Sequence, residues 1–315
     1  GLEQDLSAVP IAESAGYFEK NEPGTFSGRV GQIIKVEQWG NIATAKVEIL
    51  VPRANLQFID MFILKEIEGE WKIISKTANS TKNEKQGDRI LFVLSNANHY
   101  GNSEIHTGSS FSEIIMAYET YEQAGYNIDF VSPKGGAAPL AYIHPEIPLH
   151  QKYLYKSDFM YGLAHTRNPD QIRAADYKAI YFVGGGAAMY GVPENEAIQN
   201  IAMEIYEDHE GVISSVCHGT AGIVNLKTSD GTYLVSGKKV SGYPESYERQ
   251  KEEYFKQFPF LIQQTIEERG GSFHIAPKNN PHVEASEQLI TGQNHLSTQL
   301  VAQKVIEYLQ QKAAE

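Results

Sequence analysis

The stretch that decides the fold is Gly211-Val212-Ile213-Ser214-Ser215-Val216-Cys217-His218-Gly219-Thr220-Ala221-Gly222. An apolar strand runs into Cys217, and a series of small residues then begins a helix. This order is typical of a strand–nucleophile–helix turn, or nucleophile elbow, whose tight geometry requires small neighbours. The thiol would lie at the carboxyl end of a parallel strand, where such sheets bind ligands. The pattern therefore predicts an α/β fold with Cys217 at its reactive edge.

Cys217 is the only cysteine in the chain. A lone cysteine is more often a small buried apolar residue than a nucleophile, so its surroundings decide. At a helix start, free backbone N–H groups and the helix dipole favour the thiolate form. The same N–H groups can receive a developing oxyanion. A single cysteine also excludes an internal disulfide and any multi-cysteine metal site.

Strand and helix patterns alternate after residue 88. Short apolar runs predict buried strands, and helical spacing of apolar residues predicts helices; the strands are at 89–95, 127–132, 179–183 and 211–216, and the helices at 112–123, 194–210 and about 297–311. This order indicates a parallel sheet covered on both faces, a flavodoxin-like sandwich. The segment 134–176 is long for a loop and rich in Pro, Gly, Tyr and His, so we interpret it as a cap inserted over the active edge.

The chain before residue 80 has a different pattern. It contains β-rich runs with a tight turn at 68–70, and such successive hairpins predict a curved antiparallel sheet; the runs are at 32–38, 42–51, 57–67 and 70–77. The polar run that follows has no apolar periodicity, which is typical of a connection. The sequence therefore predicts a small α+β domain at 1–79, a linker at 80–87 and the α/β domain at 88–315.

Composition narrows the classes of partner. The net charge of −12 argues against nucleic acid, which would need a basic surface to neutralise its phosphates. No run approaches the roughly 18 apolar residues of a membrane span, so no membrane partner is expected. The first residues lack a basic-then-apolar signal pattern. A signal peptide already removed would leave the same start, so the compartment stays open, with the cytoplasm favoured.

A second cluster of glycines, Gly184-Gly185-Gly186, follows the strand that ends at Val183. Together with Val216-Cys217-His218-Gly219 and Val240-Ser241-Gly242-Tyr243, it resembles the ThiJ/PfpI superfamily, which has a class I glutamine-amidotransferase-like fold. The resemblance is closest to the heat-shock chaperone and glyoxalase branch and covers about residues 88–311. The Cys-His-Gly elbow is moderately specific alone and becomes strong with the flanking elements in the right order.

The resemblance implies catalytic roles for named residues. Cys217 is the nucleophile, and His218 is its acid/base partner. Glu113, which follows a Thr-Gly pair, is the acidic residue beside the thiol, and its pKa should be raised because it faces an anion in a partly dry site. An orienting carboxylate for the histidine is expected after the Ser-Gly-Tyr strand end, where the spacing favours Glu248 and leaves Glu245 in reserve.

The resemblance also implies the residues that bind the substrate and its oxyanion, which are Gly185, Gly186, His218, Gly219 and His295. The remaining histidines lie in loops or the cap without convincing ligand spacing, so no metal is expected. Two positions depart from the glyoxalase branch. Gly186 stands where that branch often has a histidine, and Gly191 stands where it has an acid. Both departures leave the exact substrate open.

The N-terminal strands carry a second, softer resemblance. Residues 58–65 and 69–76 resemble the closing strands of SnoaL-like proteins, the cone folds related to nuclear transport factor, in particular their lumazine-binding-like branch. The match covers about residues 28–78. The helices that normally open that fold are mostly missing, because only residues 2–19 precede the strands. The piece is therefore interpreted as a partial cone, either a packing and dimerisation module or a ligand pocket.

Three functions follow from the resemblance and the elbow. The first is a cofactor-independent, glutathione-independent glyoxalase or deglycase that converts small reactive carbonyls such as methylglyoxal to hydroxy acids such as lactate. The second is a Cys-His-Glu amidase or peptidase. The third is a non-catalytic holdase chaperone or redox sensor. The expected partner is a small carbonyl compound, and a homodimer is expected because superfamily relatives usually self-associate.

Overall fold

The computed structural model describes residues 29–51, 56–82 and 88–314. The chain divides into two compact units, with the division between Lys85 and Gln86. The predicted boundary, with a linker at 80–87, is close to this division. The segment at 2–19 that was expected to precede the first strand lies outside the described residues.

The first unit contains a four-stranded antiparallel sheet whose strands pair in chain order. The strands are β1 (Val30–Trp39), β2 (Ile42–Val51), β3 (Leu56–Ile67) and β4 (Glu70–Lys82). Glu68 and Gly69 both have positive φ, as a two-residue hairpin turn between β3 and β4 requires. The predicted antiparallel sheet is therefore confirmed. β4 continues to Lys82, which pairs with Leu56, so the first residues of the predicted linker belong to this strand.

The second unit is built on a six-stranded sheet in the order β13-β14-β10-β9-β5-β7. Its pairs are parallel except for the edge pair β13 and β14, which is antiparallel. Two further short parallel pairs, β6 with β8 and β11 with β12, lie outside this sheet. The ten strands described in this unit are β5 (Arg89–Val93), β6 (Ser109–Ser110), β7 (Asn127–Val131), β8 (Leu140–Ala141), β9 (Tyr177–Phe182), β10 (Val212–Val216), β11 (Lys239–Val240), β12 (Ser272–Phe273), β13 (Val283–Ser286) and β14 (Leu289–Gly292).

Helices and short helical turns connect these strands. The α-helices are α1 (Phe111–Gln123), α2 (Pro148–Leu154), α3 (Ser157–Ala164), α4 (Glu196–Met203), α5 (Glu253–Lys256), α6 (Ile262–Glu268) and α7 (Thr298–Ala313). The predicted helix at 194–210 consists of α4 and a π-helical turn, Glu204–Asp208. The parallel-dominated α/β architecture of the prediction is confirmed.

Both faces of the six-stranded sheet carry buried apolar layers. In β5, Ile90 and Phe92 belong to one cluster, and Leu91 and Val93 belong to the other. Because successive side chains of a strand point to opposite faces, this split means that the sheet is covered on both sides. The layer with Phe92 includes residues of α1 and α7, and the opposite layer includes residues of α4 and α6. The central strand β10 is buried along its whole length.

The segment 134–176, predicted as a cap, contains two helices. Phe159 and Leu163 of α3 are buried in the same cluster as α1, so this part of the segment covers one side of the sheet. Ala141, Tyr142 and His144 instead line the cavity in front of Cys217. The segment therefore reaches the active edge through one short stretch, and its helices form part of the outer layer.

Candidate active site

Cys217 lies at the point where β10 ends. It is the first residue of a 3-10 helix, Cys217–Ile223, and its φ of 58° is in the left-handed region that side chains rarely adopt. Such strain is typical of nucleophile elbows, because it turns the side chain out of the sheet at the strand end. Cys217 is 8% exposed and lines the cavity that opens at this edge. The thiol is therefore nearly buried but accessible from the cavity.

The small residues of the elbow are required by close packing. A Cβ on Gly219 would lie 2.2 Å from the carbonyl oxygen of Phe182, and one on Gly222 would lie 2.3 Å from the Phe182 ring. Backbone at the end of β9 thus approaches the elbow too closely for any side chain. The expectation that this turn needs small neighbours is confirmed.

His218 lies between the thiol and a carboxylate. The Sγ atom of Cys217 is 3.6 Å from Nδ1 of His218, and Nε2 of His218 is 2.6 Å from Oε1 of Glu248. The second oxygen of Glu248 accepts a hydrogen bond of 2.8 Å from the hydroxyl of Tyr254. Glu245, the reserve candidate, does not contact the imidazole; its carboxylate accepts a hydrogen bond from the backbone N–H of Gln264 at 3.3 Å. The structure thus brings together a Cys-His-Glu series.

The pKa of Glu248 reflects this pairing. Burial acts to raise it, but the hydrogen bond and charge of His218 and the hydrogen bond of Tyr254 hold it below its ordinary value. The carboxylate therefore remains ionised at neutral pH. An ionised partner fixes the orientation of the imidazole and stabilises its protonated form.

Glu113 also interacts with the thiol through its side chain. It is the third residue of α1, whose N-cap Ser110 accepts a hydrogen bond from the Glu113 backbone N–H. Its Oε2 accepts a hydrogen bond of 2.8 Å from the backbone N–H of Gly184. Burial raises the pKa of Glu113 from 4.5 to about 8, although hydrogen bonds to Gly184, Cys217 and Ser110 oppose the shift. The increase agrees in direction with the expectation, but burial alone causes it: the contact with Cys217, which was expected to raise the pKa, lowers it. The carboxyl is protonated at neutral pH.

The thiol itself differs from the expectation. Burial raises the pKa of Cys217 well above its ordinary value, and the carboxyl groups of Glu113 and Glu248 add to this effect. The backbone N–H of His218 lowers the pKa, but it is outweighed. The helix start was expected to favour the thiolate. This prediction is wrong because one N–H of a seven-residue 3-10 helix cannot offset burial between two carboxyl groups.

The glycines assigned to oxyanion binding divide into two groups. Gly185 lines the cavity, with a φ of 91° that favours glycine. Gly186 and Gly219 are not among the lining residues in the described part of the chain. A Cβ on Gly186 would lie 2.3 Å from the hydroxyl of Tyr100, so the bare backbone makes room for this phenol. The ring of Tyr100 therefore occupies the space at the position where the glyoxalase branch often has a histidine.

The cavity in front of Cys217 has a volume of about 580 Å³. It is lined by six of the predicted site residues, which are Glu113, Gly185, Cys217, His218, Glu248 and His295. Burial lowers the pKa of His295, so this imidazole is neutral at neutral pH. Tyrosines make up much of the remaining wall, and Arg249 and Lys278 lie on it as well. Sequence reasoning missed Tyr100, Tyr254 and these two cations. Tyr254 lies in the four-residue helix α5 and the others lie in loops, so none of them belongs to a periodic pattern.

The fold and the site define an α/β protein of the nucleophile-elbow class. A strained cysteine ends a central strand of a parallel-dominated sheet, and histidine and glutamate side chains lie beside it. The DJ-1/PfpI family model matches residues 105–307, about two thirds of the chain. The chain therefore belongs to the DJ-1/PfpI family, and the predicted ThiJ/PfpI resemblance is confirmed. A putative lumazine-binding family model matches residues 3–78, which supports the second resemblance over a longer stretch than the predicted 28–78.

Relatives identified by sequence share the name glutathione-independent glyoxalase. A probable glutathione-independent glyoxalase of Saccharomyces cerevisiae is 31% identical over 147 residues, which cover 44% of this chain and 60% of the relative. The chain thus spans less than two thirds of that relative. A glutathione-independent glyoxalase of Schizosaccharomyces pombe is 26% identical over 223 residues, which cover 65% of this chain and 90% of the relative.

Solved structures are similar to this chain over most of its length. The rapid encystment protein of Francisella tularensis matches with a TM-score of 0.66 and 27% identity, over 70% of this chain and 99% of that one. Glyoxalase III of Candida albicans matches with a TM-score of 0.64 and 24% identity, over 70% of this chain and 97% of that one. At this identity the similarity shows the fold alone. Within residues 29–51, 56–82 and 88–314, no helix is long and apolar enough to cross a membrane. The same residues contain no group of three acidic, histidine or cysteine side chains placed to hold a metal ion.

Proposed function

We propose that this protein is a glutathione-independent glyoxalase that converts a 2-oxoaldehyde, such as methylglyoxal, into a 2-hydroxy acid, such as lactate. The observation that carries the proposal is that the Cys217 thiol contacts both His218 and a protonated Glu113. All three residues line the same cavity. The names of the relatives support the same activity. No cofactor is part of the proposal.

The first step forms a bond between sulfur and the aldehyde carbon. The raised pKa of Cys217 means that the thiolate must be formed in place, by transfer of its proton to Nδ1 of His218. The ionised Glu248 stabilises the imidazolium that results. As the thiolate adds, the carbonyl electrons move to oxygen, which recovers the proton from His218. The product is a hemithioacetal.

The second step moves a proton between adjacent carbons. The hydrogen on the former aldehyde carbon leaves as a proton to His218 while Glu113 delivers a proton to the oxygen of the neighbouring carbonyl, so an enediol forms. His218 then returns its proton to the neighbouring carbon, the hydroxyl on the former aldehyde carbon returns a proton to Glu113, and a thioester results. Glu113 suits the donor role because its carboxyl stays protonated up to about pH 8. Water then cleaves the thioester, which releases the hydroxy acid and restores the thiol. In sum, one water is added to the dicarbonyl and no electron acceptor is needed.

The test is turnover of methylglyoxal to lactate by single-residue variants. Cys217→Ala should abolish turnover, while the unfolding temperature stays close to that of the wild type. Glu248→Gln should lower kcat at least about 100-fold, the order expected when a general acid–base unit is lost. Glu245→Gln is the matched control and should retain activity, because its carboxylate binds the backbone of Gln264 and not the imidazole. Full methylglyoxal turnover by Cys217→Ala would refute the proposal.

The Cys-His-Glu geometry also favours a second candidate, hydrolysis of an ester or amide through an acyl-enzyme. The specific observation is the Glu248–His218 pair, which such a reaction uses directly. An activated ester should then give a burst of leaving group equal to the enzyme concentration. The burst should disappear in both Cys217→Ala and Glu248→Gln and remain in Glu113→Gln. No burst with any activated ester excludes this candidate.

A further inference from the structure

The cavity is much larger than a small dicarbonyl requires. Its volume of about 580 Å³ falls in the range of about 300–1,000 Å³ in which drug-sized ligands bind. Methylglyoxal would fill only a small fraction of this space. The wall of the cavity contains several tyrosine rings, including those of Tyr142, Tyr243 and Tyr254. The site therefore has room for a substrate that extends well beyond its reacting carbonyl.

Two cations lie on the same wall. The guanidinium of Arg249 lies 5.5 Å from the centre of the Tyr254 ring, and its backbone N–H donates a hydrogen bond to the Tyr254 hydroxyl. Nζ of Lys278 donates a 2.7 Å hydrogen bond to the carbonyl oxygen of Tyr247. Both residues are exposed, and both line the cavity. Their positions are thus defined by aromatic residues of the site itself.

Neither cation forms an ion pair within the described part of the second unit. Across residues 88–314, no carboxylate lies within ion-pair distance of Arg249 or Lys278, although other lysines and arginines of this unit do form such pairs. Glu248 is already engaged by His218 and Tyr254, and Glu113 is protonated at neutral pH. Lys278 still interacts with the charge of Glu248, and Arg249 with that of Glu252. The cavity thus carries two cations without an ion-pair partner in a chain whose net charge is −12. A local cluster of positive charge on an otherwise negative protein attracts anions.

We propose that the substrate carries, besides its reacting carbonyl, a remote anionic group, a carboxylate or a phosphate ester, which binds between Arg249 and Lys278. This proposal rests on the proposed function, because it names the class of carbonyl that the Cys217 cavity takes. The carbonyl carbon meets the thiol at the inner end, and the anionic group remains at the outer end. Flat spacers between the two are held by the tyrosine rings.

The kinetic test compares two substrates that differ by one charge, phenylglyoxal and 4-carboxyphenylglyoxal, by initial rates. The wild type should prefer the carboxylated compound by about fivefold or more in kcat/KM, the effect of two exposed ion pairs. Arg249→Gln and Lys278→Gln should each lower the preference, and the double variant should remove it. Lys251→Gln, an exposed control that does not line the cavity in the described chain, should leave the preference unchanged. The proposal is overturned if the wild type has the same kcat/KM for both substrates, or if Lys251→Gln loses as much of the preference as Arg249→Gln and Lys278→Gln do.

A binding test keeps this proposal separate from the proposed function, because it requires no turnover. Calorimetry should show that 4-carboxymandelate binds more tightly than 4-hydroxymandelate, and that added salt reduces the difference. The phosphate ester of 4-hydroxymandelate completes the series and distinguishes the two anions: the tighter of the two charged ligands identifies the group that the site prefers. If phenylglyoxal is not turned over but the two ligands with an anionic 4-substituent bind more tightly through Arg249 and Lys278, the function fails and the anion site stands. All three ligands share the mandelate carboxylate, so equal binding of the two with an anionic 4-substituent and of 4-hydroxymandelate refutes the anion site.

Discussion

Glu113 is the residue at which chemistry and stability oppose each other. The unfolded chain ionises this carboxyl near pH 4.5, whereas the folded chain keeps it protonated up to about pH 8. Folding therefore takes up a proton between these values, and the free energy of unfolding falls as the pH rises through this interval. A buried acid that resists ionisation suits proton transfer, but it destabilises the fold at neutral pH.

Glu113→Gln should consequently stabilise the protein while it lowers activity. The amide cannot ionise, so the variant should gain about 4 kcal/mol over the wild type at pH 8, at 1.36 kcal/mol for each unit of pKa shift, and almost nothing at pH 4. Chemical denaturation at the two pH values measures this difference. The control is Glu119, on the same helix, which pairs with Lys152 near the surface. Glu119→Gln should change stability by less than about 1 kcal/mol at both pH values. A gain that does not depend on pH would contradict the assignment.

Among the elements, the elbow and its neighbouring strand end were the most accessible to sequence reasoning. The apolar run of β10 is buried at every position, and the small residues after it are explained by the approach of Phe182. Glu248 could be located only through the family spacing. Tyr254 could not be found, because its contact with Glu248 depends on the path of the loop between them.

Other elements left no readable pattern. The strands β13 and β14 were missed because each has only four residues, too few to show a period. The helices α2 and α3 were missed for a similar reason, since they have seven and eight residues within a segment that looks like a loop. Their burial comes from tertiary packing against α1 and not from local propensity.

The end of β9 makes a prediction at the level of the element. A Cβ on Gly184 would lie 2.4 Å from Oε2 of Glu113 and 2.7 Å from the carbonyl oxygen of Val216. Gly184→Ala should therefore destabilise the protein by about 1–3 kcal/mol, as overpacking does, and lower kcat by displacing Glu113. Gly31→Ala, whose added Cβ meets nothing within 4 Å, is the control and should be neutral in both respects. Thermal unfolding and methylglyoxal assays measure the two effects, and wild-type activity in Gly184→Ala would count against the tight contact.

At the scale of the whole molecule, the two units carry separate spectroscopic and chemical reporters. The chain has two tryptophans, Trp39 in β1 and Trp71 in β4, so tryptophan fluorescence reports on the first unit alone. Cys217, His218 and Glu113 all lie in the second unit, whose apolar clusters consist of residues from that unit only. Because each unit has reporters of its own, their unfolding can be followed separately.

We expect the two units to unfold at different denaturant concentrations, because a four-stranded sheet buries far less apolar surface than a doubly covered α/β domain. Fluorescence should change first in a guanidinium titration, and the loss of methylglyoxal turnover should follow at higher concentration. Trp39→Phe and Trp71→Phe provide the control, since either should weaken the fluorescence signal without moving the midpoint for activity. Coincident midpoints by both probes would show instead that the chain unfolds as one cooperative unit, and that the N-terminal sheet contributes to the stability of the active site.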